Sequence, residues 1–250
     1  MKHVPRLQDE PSGLRRFRNA TADRDMSDLR SAWDYFRRRR YKPHRELLEA
    51  LVNRQQGLCM YCEQRLTDRE GKRLARGCEV EHVIPKSTAP ERLFDWTNMG
   101  ASCHPPEDKG EACGCAKGCT SLAAKCDPRG FPVCPMVVKV RMDGRIIPDA
   151  EGCEKVDVSP DQLEQAIEIL KLNREPLTMA RRRILNEMQS IIDILVDPAD
   201  DEYPEKMKDL AMELLGPDPS GHLTSFWTTV RCAMGSYAEK YIAKNEHLFA

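Results

Sequence analysis

The sequence predicts an α+β protein, mainly helical, in which a cysteine-rich core and a small β-hairpin lie between flanking N- and C-terminal helices. Three observations carry this expectation. Eight of the eleven cysteines fall between Cys59 and Cys126, apolar residues recur at helical spacing on both sides of that window, and the run from Met136 to Ile147 reads as two strands turning at Asp143-Gly144. At 250 residues the chain can form one large domain or a small module with a helical companion.

The helices can be justified in order. Between Ser27 and Arg40, Leu29, Ala32, Trp33 and Phe36 share one helical face, Ser27 is placed to cap the start, and Arg37 to Arg40 sit where cations suit a helix end or could grip phosphates. A second helix, Arg45 to Gln56, is expected to bury Leu47, Leu48 and Leu51 and to end at Gly57. Past the hairpin, Ser159-Pro160-Asp161 combines a capping side chain, a proline at the first helical position and an early carboxylate, with Leu163, Ile167 and Leu170 as the buried stripe. A longer helix over Leu177 to Leu195 places Leu177, Ile184, Met188, Ile191 and Leu195 on one side with Arg181-Arg182-Arg183 mostly outside that side, and helices over Pro204 to Leu215 and Leu223 to Met234 follow. The expected division is a helical arm over 1–57, a zinc-bound core with the hairpin over 58–158, and a helical region over 159–250 read as partner-docking.

Composition narrows the function classes. With 40% hydrophobic, 6% aromatic and 32% charged residues, the chain reads as globular, not disordered. No run approaches the roughly 18 apolar residues of a membrane span, and Met1 to Arg6 lacks the apolar stretch of a secretory signal. A cytoplasmic location is therefore expected, where clustered thiols favour metal over disulfides. The net charge of −1 hides a gradient: +6 over residues 1–58, +1 over 59–150 and −8 over 151–250. The front suits a polyanion and the rear a protein partner or solvent.

Cys59-Met60-Tyr61-Cys62 is a knuckle that lets two thiolates from one turn grasp a single zinc ion. A redox pair is the other reading, but it calls for a βαβ context that the preceding helix does not supply. Eighteen residues after Cys62 comes Val80-Glu81-His82-Val83-Ile84-Pro85-Lys86, then Asn98, Cys103, and Cys113-Gly114-Cys115-Ala116-Lys117. His82, with a carboxylate neighbour and a metal-site context, is the candidate general base for activating water near neutral pH. Strand alternation would send Glu81 and His82 to opposite faces, so joint action needs the strand to end or twist there.

The order CxxC, E-H-x-x-P, N, C, C-x-x-x-K resembles the zinc-containing HNH endonucleases, whose zinc-stapled ββα-metal fold surrounds one divalent cation. Arg6, Pro11 and Leu14, the Glu63 that follows the knuckle, Asp127-Pro128, Asp143-Gly144-Arg145-Ile146-Ile147-Pro148 and Leu170-x-Leu172-Asn173 extend the likeness to the HNH nucleases found with retron and Septu antiphage systems. The resemblance implies a DNA-cleaving effector working beside an ATPase partner, with a retron reverse transcriptase and its nucleic acid as a further component in retron systems. It also implies a structural zinc on Cys59, Cys62, Cys103 and Cys113, a catalytic Mg²⁺ or Mn²⁺ on Glu81, Asn98 fixing the loop and orienting His82, and Lys86 and Lys117 on phosphate. The pattern departs at its last letter. Gly114 and Cys115 stand where the family has His or Asn, and a thiolate is a poor ligand for Mg²⁺. That departure keeps open a catalytically silent zinc-binding adaptor. Cys115, Cys119, Cys126 and Cys134 could substitute as ligands or hold a second zinc, one zinc being the preferred count, and His104 could be a ligand or a solvated loop residue. Cys78, Cys153 and Cys232 read as small hydrophobes.

Overall fold

Helical spacing at the front of the chain resolves, in the computed structural model, into α1 (Ser12–Ala20), α2 (Leu29–Asp34) and α3 (Tyr41–Arg54), with a π-helical turn at Tyr35–Arg39 continuing α2. The structure describes residues 1–21, 28–68, 70–74, 77–104, 112–195 and 201–250. The expected cap Ser27 and the side chains of Leu29 and Leu195 lie outside the described residues. Ala32, Trp33 and Phe36 are buried as their spacing requires. Helix α1 was not expected; it buries Leu14 and Phe17. Helix α3 starts four residues before the expected Arg45, buries Leu47, Leu48 and Leu51, and is closed by Gly57 at φ +78°, whose N–H donates back to Val52 O at 2.9 Å.

The cysteine-rich middle forms β1 (Cys78–His82) and β2 (Met99–Cys103), followed by the one-turn helix α4 (Cys113–Lys117) packed on β2. The strands are antiparallel, with Glu81 opposite Gly100 and His82 opposite Met99. Strands β3 (Val138–Val140) and β4 (Ile146–Pro148) make the expected hairpin. Gly144 takes the left-handed conformation its turn needs, at φ +81°.

Then follow α5 (Ala150–Lys155), α6 (Pro160–Ile169), α7 (Glu175–Leu195), α8 (Tyr203–Leu215), α9 (Trp227–Met234) and α10 (Ser236–Lys244). Ser159 caps α6 by accepting from Gln162 N. Two expectations are corrected here. Helix α9 begins at Trp227 and not Leu223, because Phe226 is left-handed at φ +55°. Arg181 is buried on the inner side of α7 rather than outside its apolar stripe: its Nη1 donates to Leu172 O at 2.8 Å and Gly144 O at 3.3 Å. The rest of the triplet, Arg182 and Arg183, is exposed.

Apolar burial divides into two cores. The first joins Leu14, Phe36 and Leu51 of the front helices to Tyr61, Ile146 and Leu163, running across the expected boundaries at residues 57 and 158. The second joins Met188, Leu210, Leu215, Trp227 and Ile242, with Leu58 and Val133 reaching in. Glu63 links them. Its buried carboxylate accepts from Thr228 N at 2.7 Å and Thr228 Oγ1 at 2.6 Å, tying the turn after the knuckle to the start of α9. No helix among the described residues is long and apolar enough to cross a membrane.

Candidate functional site

Cys59 and Cys62 sit on the tight turn after α3, Cys103 ends β2 and Cys113 opens α4. All four are buried, and their sulfurs lie within 4.8 Å of one another. Backbone N–H groups point at the sulfurs, from Cys103 to Cys59 Sγ at 3.3 Å and from Gln64 to Cys62 Sγ at 3.5 Å. Burial works against ionising Cys59, but hydrogen bonds from Cys103, Cys113 and Cys62 outweigh it and hold that thiol well below the ordinary range. The same crowding pushes Cys113 up, first through its bond with Cys103. Four buried sulfurs at this separation are compatible with a structural metal site, and their soft donors suit a thiophilic cation. Among the described residues, Cys119, Cys126 and Cys134 stand outside this cluster; Cys126 is buried in the first core, and Cys134 accepts from Arg231.

The second part of the site is a cleft of about 510 Å³ lined by Trp33, Arg37, Arg38, Glu81, His82 and Lys86, among others. Glu81 and His82 both line this cleft yet take different partners, and β1 ends at His82. Glu81 Oε1 accepts from Tyr61 OH at 3.1 Å and pairs with Lys117 Nζ at 2.9 Å. Burial still pushes its carboxyl above the usual range, with Lys117 opposing. His82 lies edge-on to Trp33 with ring centroids 4.5 Å apart. Its Nε2 lies 2.9 Å from Leu93 O. A carbonyl only accepts, so Nε2 carries the proton and Nδ1 keeps the lone pair. Burial, with the Lys86 and Lys117 charges nearby, lowers this imidazole to about 4, so it is neutral at pH 7.

Asn98, fully buried, clamps the segment after the strand: its Oδ1 accepts from Ile84 N at 2.9 Å and its Nδ2 donates to Ile84 O at 3.0 Å. Lys86 is half-buried over Trp33, its Nζ 5.2 Å from the ring centroid. Lys117, expected on phosphate, is 2% exposed. Besides Glu81, its Nζ reaches His82 O at 3.1 Å and Val83 O at 3.4 Å. It braces both sides of the strand end from within.

No family model matches the chain. Among curated proteins, a stretch of 62 residues is 42% identical to the Septu protein PtuB of Bacillus thuringiensis. The chain is related to a Septu protein. That likeness covers 25% of this chain and 21% of PtuB, so the chain spans about a fifth of the length of the curated relative it matches.

Within this Septu-like chain, several residues in and around the cleft take places that the sequence left open or did not signal. Tyr61 gave no signal beyond its place inside the knuckle. Gly114 was noted only as a missing ligand, yet a Cβ there would lie 2.5 Å from Glu81 Oε2, so its absence makes room for the carboxylate. Arg37 and Arg38 of the basic run reach the cleft, where Asp34 accepts from Arg37 at 3.1 Å and lies 3.9 Å from Arg38. Glu79, His104 and Cys115 form a further cluster that spacing alone did not join.

Proposed function

We propose that this chain is an HNH endonuclease that hydrolyses DNA phosphodiester bonds as the effector of an antiphage complex, working with an ATPase partner and, in a retron setting, with a reverse transcriptase and its nucleic acid. The observation that carries the reading is His82: a neutral imidazole with an oriented tautomer, lining a cleft rimmed by Lys86, Arg37 and Arg38. In this reading β1, β2 and α4 are the ββα-metal element, and zinc on Cys59, Cys62, Cys103 and Cys113 fixes their relative placement. The Septu relationship supports the defence role.

The chemistry follows from the residues. His82 Nδ1 takes the proton of an attacking water, while the Nε2–H bond to Leu93 O holds the ring as positive charge develops on it. Asn98 keeps the Ile84 segment, and with it the strand end, in one conformation. Lys86 and the two arginines attract the phosphate backbone. Glu81 offers Oε2, the oxygen facing Gly114, to a hard cation; bound there, Mg²⁺ or Mn²⁺ would neutralise charge on the scissile phosphate and the leaving oxygen. Helices α6 to α10, in the acidic part of the chain, are the region assigned to the partner.

One observation favours a second reading, a catalytically silent zinc-binding adaptor. Lys117 already neutralises Glu81, and Gly114 supplies no second ligand. Plasmid cleavage with Mg²⁺ or Mn²⁺ and the partner present separates the two. His82→Ala is expected to lose at least about a hundredfold in cutting rate, the range for a positioned general base. Equal cutting by variant and wild type would remove His82 from the mechanism, and no cutting by either would favour the adaptor.

A further inference from the structure

Three side chains from three separate elements converge beside the cysteine centre: Glu79 of β1, His104 just after β2, and Cys115 of α4. His104 Nδ1 lies 3.3 Å from Glu79 Oε2 and 3.1 Å from Cys115 Sγ, and Cys115 Sγ lies 3.4 Å from Glu79 Oε1. The two distances to Glu79 run to its two different oxygens, but one ligand atom from each residue lies within 4.8 Å of the other two; a tetrahedral zinc separates such atoms by roughly 3.4–3.6 Å, so the three need only a small closure around an ion. Unlike the cysteine centre, this cluster is open. The His104 side chain is 56% exposed and that of Glu79 36%.

We infer that Glu79, His104 and Cys115 form a second metal site, taking a borderline divalent cation such as Zn²⁺ through three protein ligands among the described residues. The donor set is the first reason. One imidazole, one thiol and one carboxylate match zinc and its neighbours better than Mg²⁺, which avoids sulfur. Preorganisation is the second. His104 directly follows Cys103, and Cys115 lies two residues after Cys113, so folding around the first centre carries two ligands of the second into place. Glu79 is set by the β1–β2 register, opposite Ser102, and the backbone at 104 is tied down by His104 N donating to Gly77 O at 2.8 Å.

Binding releases the Cys115 thiol proton to solvent and leaves a thiolate on the ion. Glu79 also lines the cleft that holds Glu81 and His82, so one of the three ligands is shared with that cleft. The site depends on these three side chains and stands whether or not the cleft cuts DNA.

The test uses the full chain and zinc alone. Protein purified with zinc and dialysed against a weak chelator is expected to keep one equivalent, then to take up a second on titration with Zn²⁺. His104→Ala and Cys115→Ser should each keep the first equivalent and the wild-type melting temperature, but bind the second more weakly by more than the about 10–100-fold typical of losing an outer-shell partner. Should Cys115→Ser disturb α4 and lower the melting temperature, the exposed His104→Ala and Glu79→Gln decide. A wild type that never exceeds one equivalent, or variants that bind the second as tightly as wild type, would overturn the site.

Discussion

Replacing Lys117 with methionine tests the arrangement at the strand end most directly. The ammonium is almost fully buried and lies 2.9 Å from Glu81 Oε1. At that distance, with an effective dielectric constant of about 20, the gross attraction is about 6 kcal/mol. Desolvating both ions offsets much of that, so the pair adds little relative to an apolar pair of the same shape, whereas removing one partner strands the other charge at about 3–5 kcal/mol. Lys117→Met also frees the His82 and Val83 carbonyls, which now lie 3.1 and 3.4 Å from Nζ. For a chain of this size each kcal/mol corresponds to roughly 2–4 °C in melting temperature. Lys117→Met should therefore melt roughly 6–20 °C lower, with metal on the four cysteines retained, and Glu81→Gln/Lys117→Met should recover at least about 2 kcal/mol of that loss. Calorimetry with metal analysis on the four proteins of this double-mutant cycle reads both. A Lys117→Met protein melting within about 2 °C of wild type, or a double variant no better than the single, would refute the buried pair as the brace.

Two other outcomes are expected. Cys59→Ser should lose metal from the four-cysteine centre and unfold the first core, because metal binding on the order of 10 kcal/mol is as large as a domain's whole stability; helices α7 to α10 should keep their circular dichroism, and full metal content with a native melting curve would show the knuckle misassigned. His44, edge-on to Trp33 and Phe36, is lowered to about 4 by burial, with Arg37 and Arg73 adding to it. The unfolded chain thus takes up this proton first: the stabilisation is complete above about pH 6.5 and is lost as pH falls towards 4. Discounted for partial exposure it is about 1–2 kcal/mol, so His44→Phe should flatten the fall of melting temperature between pH 6.5 and 4.5, and parallel curves would exclude the effect.

What the sequence determined by itself is whatever local chemistry specifies. Ser159-Pro160 starts α6 because a side-chain acceptor and a fixed φ act within four residues. Asp143-Gly144 turns the hairpin because only glycine adopts φ +81° without strain. The spacing of Cys59, Cys62, Cys103 and Cys113 was legible because the resemblance supplied an order for thiols that a single ion must gather. Helix α1 was not legible, since its short apolar stripe has no side-chain cap and is stabilised by packing on α3.

Tertiary structure alone decided which members of similar-looking runs are inside. Arg181, Arg182 and Arg183 are chemically alike in the sequence, yet one turns inward to two carbonyls while its neighbours stay in water, because consecutive helical residues are rotated by about 100°. Lys117 and Lys86 were equivalent candidates for phosphate until the placement of α4 directed one onto Glu81 and left the other over Trp33 at the cleft. Glu79, His104 and Cys115 carry no joint signal in one dimension. Their meeting depends on strand register and on the fold of four cysteines beside them, which bring together residues 25 and 11 positions apart only once the chain has closed.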